Sequence, residues 1–347
     1  TVEIKIHLWK KGVADGFYAA RAEGCTAAAL FWGDNQGELK QYSAFAYILL
    51  DAKGEGNFTF TGGRAIPREA QGVYVRAGTP DGDGFCGGSY EGYEKIPEEF
   101  RPELLLEDEC VKMRIGLMSD LHMTDKPVFT VAGNHDITEK TGENYYRFWE
   151  KLWKRTEKAF PETERRSDGV TVTLGPGMDL IGLNLCYKNK AFYFSEPEST
   201  LRWLDQYLTE RRGNCHLLMC HAPLLHYNPQ RKPQKHSPYL TRDQAVQGIV
   251  TRAGGVIFLS GHTHISPNTP EGCAKWDPIH KNIYINDGSV CPCELKTKEN
   301  GWPSEWSDGC VTELIFYEKW AEVVMRFLRS GKRISRGQYR FPLSDVC

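Results

Sequence analysis

The chain has 347 residues, with 43 Lys and Arg against 45 Asp and Glu and a net charge of −2. That length holds two domains, or one large domain with an appendage, and either buries a sizeable core. The charge balance gives no electrostatic case for nucleic acid or an anionic membrane as partner, and the longest apolar runs, YILL and VIFLS, fall far short of the roughly 18 residues a membrane span needs.

From Thr1 to about Ala77 short alternating stretches (VEIKIHLW, AALFW, SAFAYILL, NFTFTG, GVYVRA) are separated by Gly, Asn and Asp, which predicts an all-β sandwich. Gly33 and Asp34 in LFWGDNQG fit a turn between two of these strands. The text TPDGDGFCGGSYEGYEKIPEEFRPE then reads as an exposed linker, so the first domain with its linker is placed at 1–103 and the second at 104–347.

After about Leu104 apolar strands alternate with amphipathic helices. The strands are MRIGLMS, PVFTVAG, DLIGLNL, CHLLMCH, GVIFLSG and NIYIND; the helices are ENYYRFWEKLWKRTEKAF, SEPESTLRWLDQYLTERRG and TRDQAVQGIVTRAGG. Near-continuous apolar runs suit strands covered on both faces, so the second domain is α/β with helices packed over a sheet. Ser195 is the candidate cap of the second helix, with Gly213 beyond its end; the third opens on Thr241 and stops at Gly254 and Gly255.

Four loops each follow an apolar strand and begin with metal-capable residues: Asp120 and His122; Asn134, His135 and Asp136; His221; and His262 with His264. If the strands are parallel these groups converge at their carboxyl ends. Mixed imidazole, carboxylate and amide donors suit Zn, Fe or Mn, whereas Ca takes oxygens alone and structural zinc favours Cys. Taken singly, DxH or HxH is commonplace; the conjunction is what points to a metal site. His7, His216, His226, His236 and His280 read as surface or satisfied histidines, although His226 and His236 stand near enough to His221 to reach a substrate.

On DLH at 120 to 122, GNHD at 133 to 136, CHAPL at 220 to 224 and GHTH at 261 to 264, the chain resembles the calcineurin-like metallophosphoesterases over roughly Lys112 to Arg329. The resemblance implies a four-layer sandwich of two mixed β-sheets flanked by helices, here preceded by the small all-β domain. It also implies two divalent ions, Mn, Fe or Zn, and a phosphate-ester substrate, monoester or diester. By that likeness Asp120, His122 and His264 hold one ion and Asn134, His221 and His262 the other, while His135, held by Asp136, stands beside the scissile phosphate. The stretch LFWGDNQG with QYSAFAYI more weakly resembles the immunoglobulin-like domains that precede some bacterial phosphoesterases.

The family's GDxxD strand, whose first Asp bridges the two ions, is missing. Only 12 positions separate His122 from Asn134, whereas a parallel crossover needs a dozen or more residues. MRIGLMS and PVFTVAG would then form a hairpin, with carboxyl ends about 17 Å apart for five-residue strands, and DLH and GNHD would not share a site. Three resolutions stay open: a βα unit belongs between them and is absent from this sequence, the domain has lost it, or Asp125 substitutes. The first is favoured, because both flanks keep apolar strands that need partners.

The rival to a hydrolase is a degenerate phosphoesterase fold serving as a binding protein. A third reading gives the β domain a glycan contact through Trp9, Trp32 and Tyr42, for which core packing is the competing role. Arg231, Lys232 and Lys235 read as a solvated loop that could meet a phosphate. The 11 Cys are scattered with no CxxC pair, which fits mostly buried thiols of a reducing compartment, a few pairing being the alternative. Cytoplasm is thus favoured over secretion without being fixed, and a start at Thr1 rather than Met leaves room for a removed leader.

Overall fold

The computed structural model describes residues 1–34, 37–81, 84–102, 111–117, 129, 131–134, 136–137, 150, 154, 157–166, 168–227, 239–264, 267, 273–288, 293–294, 306–307 and 309–343. The chain divides into two units. One is Thr1–Met118 with Ile265–Cys273 and Gly288–Pro342; the other is Ser119–His264 with Ala274–Asp287 and Leu343–Cys347. Among the described residues no helix is long and apolar enough to cross a membrane.

The first unit opens with β1 (Val2–Leu8), β2 (Gly16–Ala22), β3 (Ala27–Asp34), β4 (Gly37–Glu38), β5 (Ala46–Leu49), β6 (Glu55–Phe60), β7 (Gly72–Asp81) and β8 (Gly84–Lys95), followed by β9 (Met113–Leu117). All pairings among the first eight are antiparallel, in sheets β1-β2-β6 and β4-β3-β7-β8 with β5 on β3. Their inward residues, among them Tyr18, Leu30, Trp32, Phe45, Ile48 and Phe60, share one core. Phe45 stacks on Trp32 with ring centroids 4.2 Å apart. The alternation read in the sequence is therefore the inside-outside alternation of half-buried strands. Gly33 and Asp34 are not turn residues: they end β3 and pair in register with Glu38 and Gly37 of β4. Trp32 and Tyr42 are buried core aromatics, which removes two of the three residues considered for a glycan; Trp9 is 49% exposed.

In the second unit the strands are β10 (Thr163–Arg165), β11 (Gly169–Gly175), β12 (Met178–Leu183), β13 (Cys186–Lys188), β14 (Ala191–Tyr193), β15 (Cys215–Cys220), β16 (Tyr239–Leu240), β17 (Val256–Ser260), β18 (Ala274–Asp277) and β19 (Asn282–Asn286). Seven of them form a sheet in the order β10-β11-β12-β15-β17-β19-β18. Its centre, β12-β15-β17-β19, is parallel throughout. Helices α1 (Pro197–Glu210) and α2 (Asp243–Ala253) bury Trp203, Leu204, Leu208, Val246 and Val250 in one core with residues of β12, β15 and β17. Each fully buried aliphatic there is worth about 1.5–3 kcal/mol. Of the earlier predicted helix, residues 150, 154 and 157–159 are described and helical.

Ser195 does not cap α1. Its hydroxyl donates to Asp168 Oδ1 (2.6 Å), while Asp168 Oδ2 accepts Glu196 N–H (2.8 Å) and the Thr200 hydroxyl (2.9 Å). A buried carboxylate from a distant turn thus serves the helix start, where negative charge is favourable.

The chain closes with β20 (Cys293–Glu294) and β21 (Trp306–Ser307), a two-strand pairing, and then β22 (Cys310–Phe316), β23 (Trp320–Phe327) and β24 (Arg333–Pro342). The last three make a sheet in the order β24-β23-β22-β9, and β9 pairs antiparallel with β22. Among the described residues the hairpin considered for MRIGLMS and PVFTVAG is not seen. MRIGLMS supplies β9, but its partner lies some 200 residues further on, and in PVFTVAG the described residues 129 and 131–133 are not strand. Cys215 is disulfide-bonded, and Cys25, Cys186 and Cys220 are free thiols, so both kinds considered for the cysteines occur.

One buried pair makes stability depend on pH. His216 and Asp179 are 1% and 2% exposed, with Nδ1 and Oδ2 3.5 Å apart. Burial lowers the His216 pKa from 6.5, against the pull of the Asp179 carboxylate and the Arg211 carbonyl; the Arg211 guanidinium lowers it further. The unfolded chain then binds the proton more readily than the folded one. This contribution to stability is present above the unfolded pKa of about 6.5 and is lost as pH falls through the folded value. Urea midpoints measured between about pH 7.5 and pH 5 are expected to fall less steeply in His216→Gln than in the parent; parallel slopes would refute the assignment.

Candidate metal centre

His221 directly follows β15 and His262 follows β17 by two residues; the two strands are parallel neighbours, so their carboxyl ends and the two loops stand side by side. Asn134 reaches the same point from the GNHD turn. His221 Nε2 lies 3.1 Å from Asn134 Oδ1, His262 Nδ1 lies 3.1 Å from the same oxygen, and the two ring nitrogens are 3.2 Å apart.

Hydrogen bonding does not account for this triangle. The amide oxygen carries no proton and each neutral ring has one N–H, so at most two edges can be hydrogen bonds. If both nitrogens donate to Asn134 Oδ1, their protons crowd each other on the third edge. A cation at the apex uses all three lone pairs at once. Donors about 2.1 Å from one divalent ion lie roughly 3.0 Å apart at octahedral and roughly 3.4 Å apart at tetrahedral angles, and the observed edges fall between. The side chains therefore fit a single divalent ion. Two imidazoles and an amide oxygen favour Zn, Fe or Mn over Ca or Mg. Among the described residues no three His, Cys, Asp or Glu side chains cluster; this group forms because its third donor is an amide.

Local backbone and packing hold the donors in place. His262 has φ 67°, and Thr263 N–H donates to Gly261 O at 2.8 Å, which makes His262 the centre of a γ-turn of the strained, positive-φ kind. His264 also has a positive φ, 52°. Such residues cost on the order of 1–3 kcal/mol each and persist only where surrounding structure enforces them. Phe192 of β14, fully buried, sets its ring edge-on to both imidazoles, at 5.5 Å from His221 and 5.1 Å from His262. Gly133 lets the His221 ring lie against the backbone: a Cβ there would stand 2.9 Å from Cε1 and 3.2 Å from Nε2. Within the GNHD turn Asp136 Oδ2 accepts Gly133 N–H at 2.8 Å and Asp136 N–H donates to Gly133 O at 3.0 Å.

Of the residues singled out in the sequence, Asn134, His221 and His262 come together. His264 is exposed on the same loop as His262, and Asp136 is exposed and pins its own turn. Asp120, His122, Asp125 and His135, like Arg231, Lys232, Lys235 and His236, lie outside the described residues. Phe192 and the strand-end Asn286 have no signature in local sequence. AFYF reads as any core strand, and only the fold brings Phe192 against the two histidines.

A model of the calcineurin-like phosphoesterase family matches residues 82–266, more than half of the chain and a span that contains all three converging donors. No curated protein matches the chain.

Proposed function

The chain belongs to the calcineurin-like phosphoesterases, and from that premise we propose that it is a metal-dependent hydrolase of a small-molecule phosphomonoester or phosphodiester. The observation that supports this most directly is the triangle of Asn134, His221 and His262 donors, 3.1–3.2 Å on each edge.

In this reading Asn134, His221 and His262 hold one divalent ion, and Asp120, His122 and His264 hold a second. Such ions, Mn, Fe or Zn, make hydroxide available near neutral pH and draw on the phosphoryl oxygens. Asn134 and the two imidazoles are neutral ligands, so they leave the site's positive charge intact and favour an anionic ester. The buried Phe192 ring packs against both imidazoles. His135, the neighbour of Asn134 in the sequence, is the group to protonate the leaving oxygen or to stabilise charge on the phosphoryl group.

The test is hydrolysis of p-nitrophenyl phosphate and bis-p-nitrophenyl phosphate by chelator-stripped protein before and after adding Mn, Zn or Fe(II). Activity that vanishes with the metal and returns with it supports the reading. Activity indifferent to chelation, or none with any metal or ester, refutes it. Two ions per active chain would show that the residues between Asp120 and Gly133 complete a second site; one would confine the chemistry to the three-donor site.

A further inference from the structure

We propose that Asn286 is a positioning residue that sets the metal affinity of the site by holding His262 in its strained turn. The inference rests on the reading of His262 as a metal ligand, and it concerns a residue that contributes no donor of its own.

Asn286 ends β19, pairs in register with Ser260 at the end of β17, and is 3% exposed. Its side chain spans the γ-turn. Asn286 Nδ2 donates to Gly261 O at 2.7 Å and to Ser260 Oγ at 3.3 Å, and Oδ1 accepts the Thr263 hydroxyl at 2.7 Å. The residues before and after His262 are thereby tied to one rigid amide. Gly261 O is a pure acceptor, which fixes the amide with nitrogen toward Gly261 and oxygen toward Thr263. The turn's own bond, Thr263 N–H to Gly261 O, closes the same ring, and Gly261 N–H donates to His221 O at 3.2 Å. The loop of one imidazole is thus tied to the backbone of the other.

A histidine left to relax from φ 67° toward negative φ would swing its ring away from Asn134. The strain is held by the amide, so the ring is pre-organised before any ion arrives. Groups that orient metal ligands are worth about 10–100-fold in affinity.

The experiment compares metal-free protein carrying Asn286→Leu, Thr263→Val or Thr263→Ser with the parent, by calorimetric titration with Zn(II) and with Mn(II). Leucine keeps the bulk and removes all three side-chain hydrogen bonds, valine removes only the hydroxyl, and serine restores it. The expected result is binding about 10–100-fold weaker for Asn286→Leu and Thr263→Val, with Thr263→Ser close to the parent. A residue that merely supports the fold would lower the urea midpoint and leave affinity unchanged in all three. That outcome overturns the proposal, and if Asn286→Leu does not fold, the contrast between valine and serine at position 263 decides alone. His262→Ala serves as control: should it bind as tightly as the parent, the metal-site reading itself fails.

Discussion

Replacing His221 by alanine is expected to cut kcat/KM for a phosphate ester by about 10³-fold or more, equivalent to roughly 4 kcal/mol of transition-state stabilisation, and to remove the ion proposed for the three donors. Only Asn134 and His262 then face the site, 3.1 Å apart, and two neutral donors do not hold an ion that three hold in a facial arrangement. Fold stability should change little by comparison, because His221 is half-buried at a strand end, where its ring meets those of Phe192 and His262. The measurement is metal content per chain by plasma mass spectrometry beside kcat/KM, with near-ultraviolet circular dichroism to show that the fold is intact. A loss of less than about tenfold with metal content unchanged would show that the triangle is a structural cluster and not the reaction centre. His262→Ala should behave alike, since it is the other imidazole of the same triangle. Asn134→Ala should be milder in metal content, because both imidazoles remain.

What the sequence revealed and what it withheld divide along the range of the interactions. The four parallel strands of the second unit were legible because each is a local apolar run, and a parallel sheet puts the residues after each run at one edge. That is why His221 and His262 were found together. The partner of β9 was not legible. Its apolar pattern says that it is a strand, but nothing local says that β22 takes it. Ser195 shows the same limit at a helix start. A serine before Pro197 has the chemistry of a cap, yet its hydroxyl serves a carboxylate 27 residues earlier in the chain. The strain at His262 was hidden too, since GHTH states which residues are present and not that the first histidine has positive φ.

Arg336 was also hidden, because an arginine in a strand reads as an outward-facing residue, yet this one is fully buried on β24. Its Nε donates to Phe45 O at 2.8 Å, and its guanidinium lies 5.1 Å from the Phe58 ring centroid and 6.0 Å from that of Phe60. On the same strand Ser335 N–H donates to Ser43 Oγ, and Arg340 donates to Gly12 O and to Glu322. β24 is thus laced to the β1–β8 sheets by polar side chains where an apolar strand would simply pack. A permanently cationic group out of water is tolerable only with such partners: a carbonyl in line with Nε and aromatic faces beside the guanidinium. Arg336→Ala removes the cation, leaves the Phe45 carbonyl without this donor and opens a cavity, so a loss of about 3–5 kcal/mol in unfolding free energy is expected. Arg336→Met keeps most of the stem's volume and loses chiefly the hydrogen bond, which predicts a smaller loss of about 1–3 kcal/mol. Urea unfolding followed by tryptophan fluorescence reads both, and equal losses for the two variants would mean that volume is immaterial and the polar contact carries everything. Below the transition, phosphate-ester hydrolysis per folded molecule should match the parent in either variant, because Arg336 acts on whether the chain folds and not on the three donors of the candidate site.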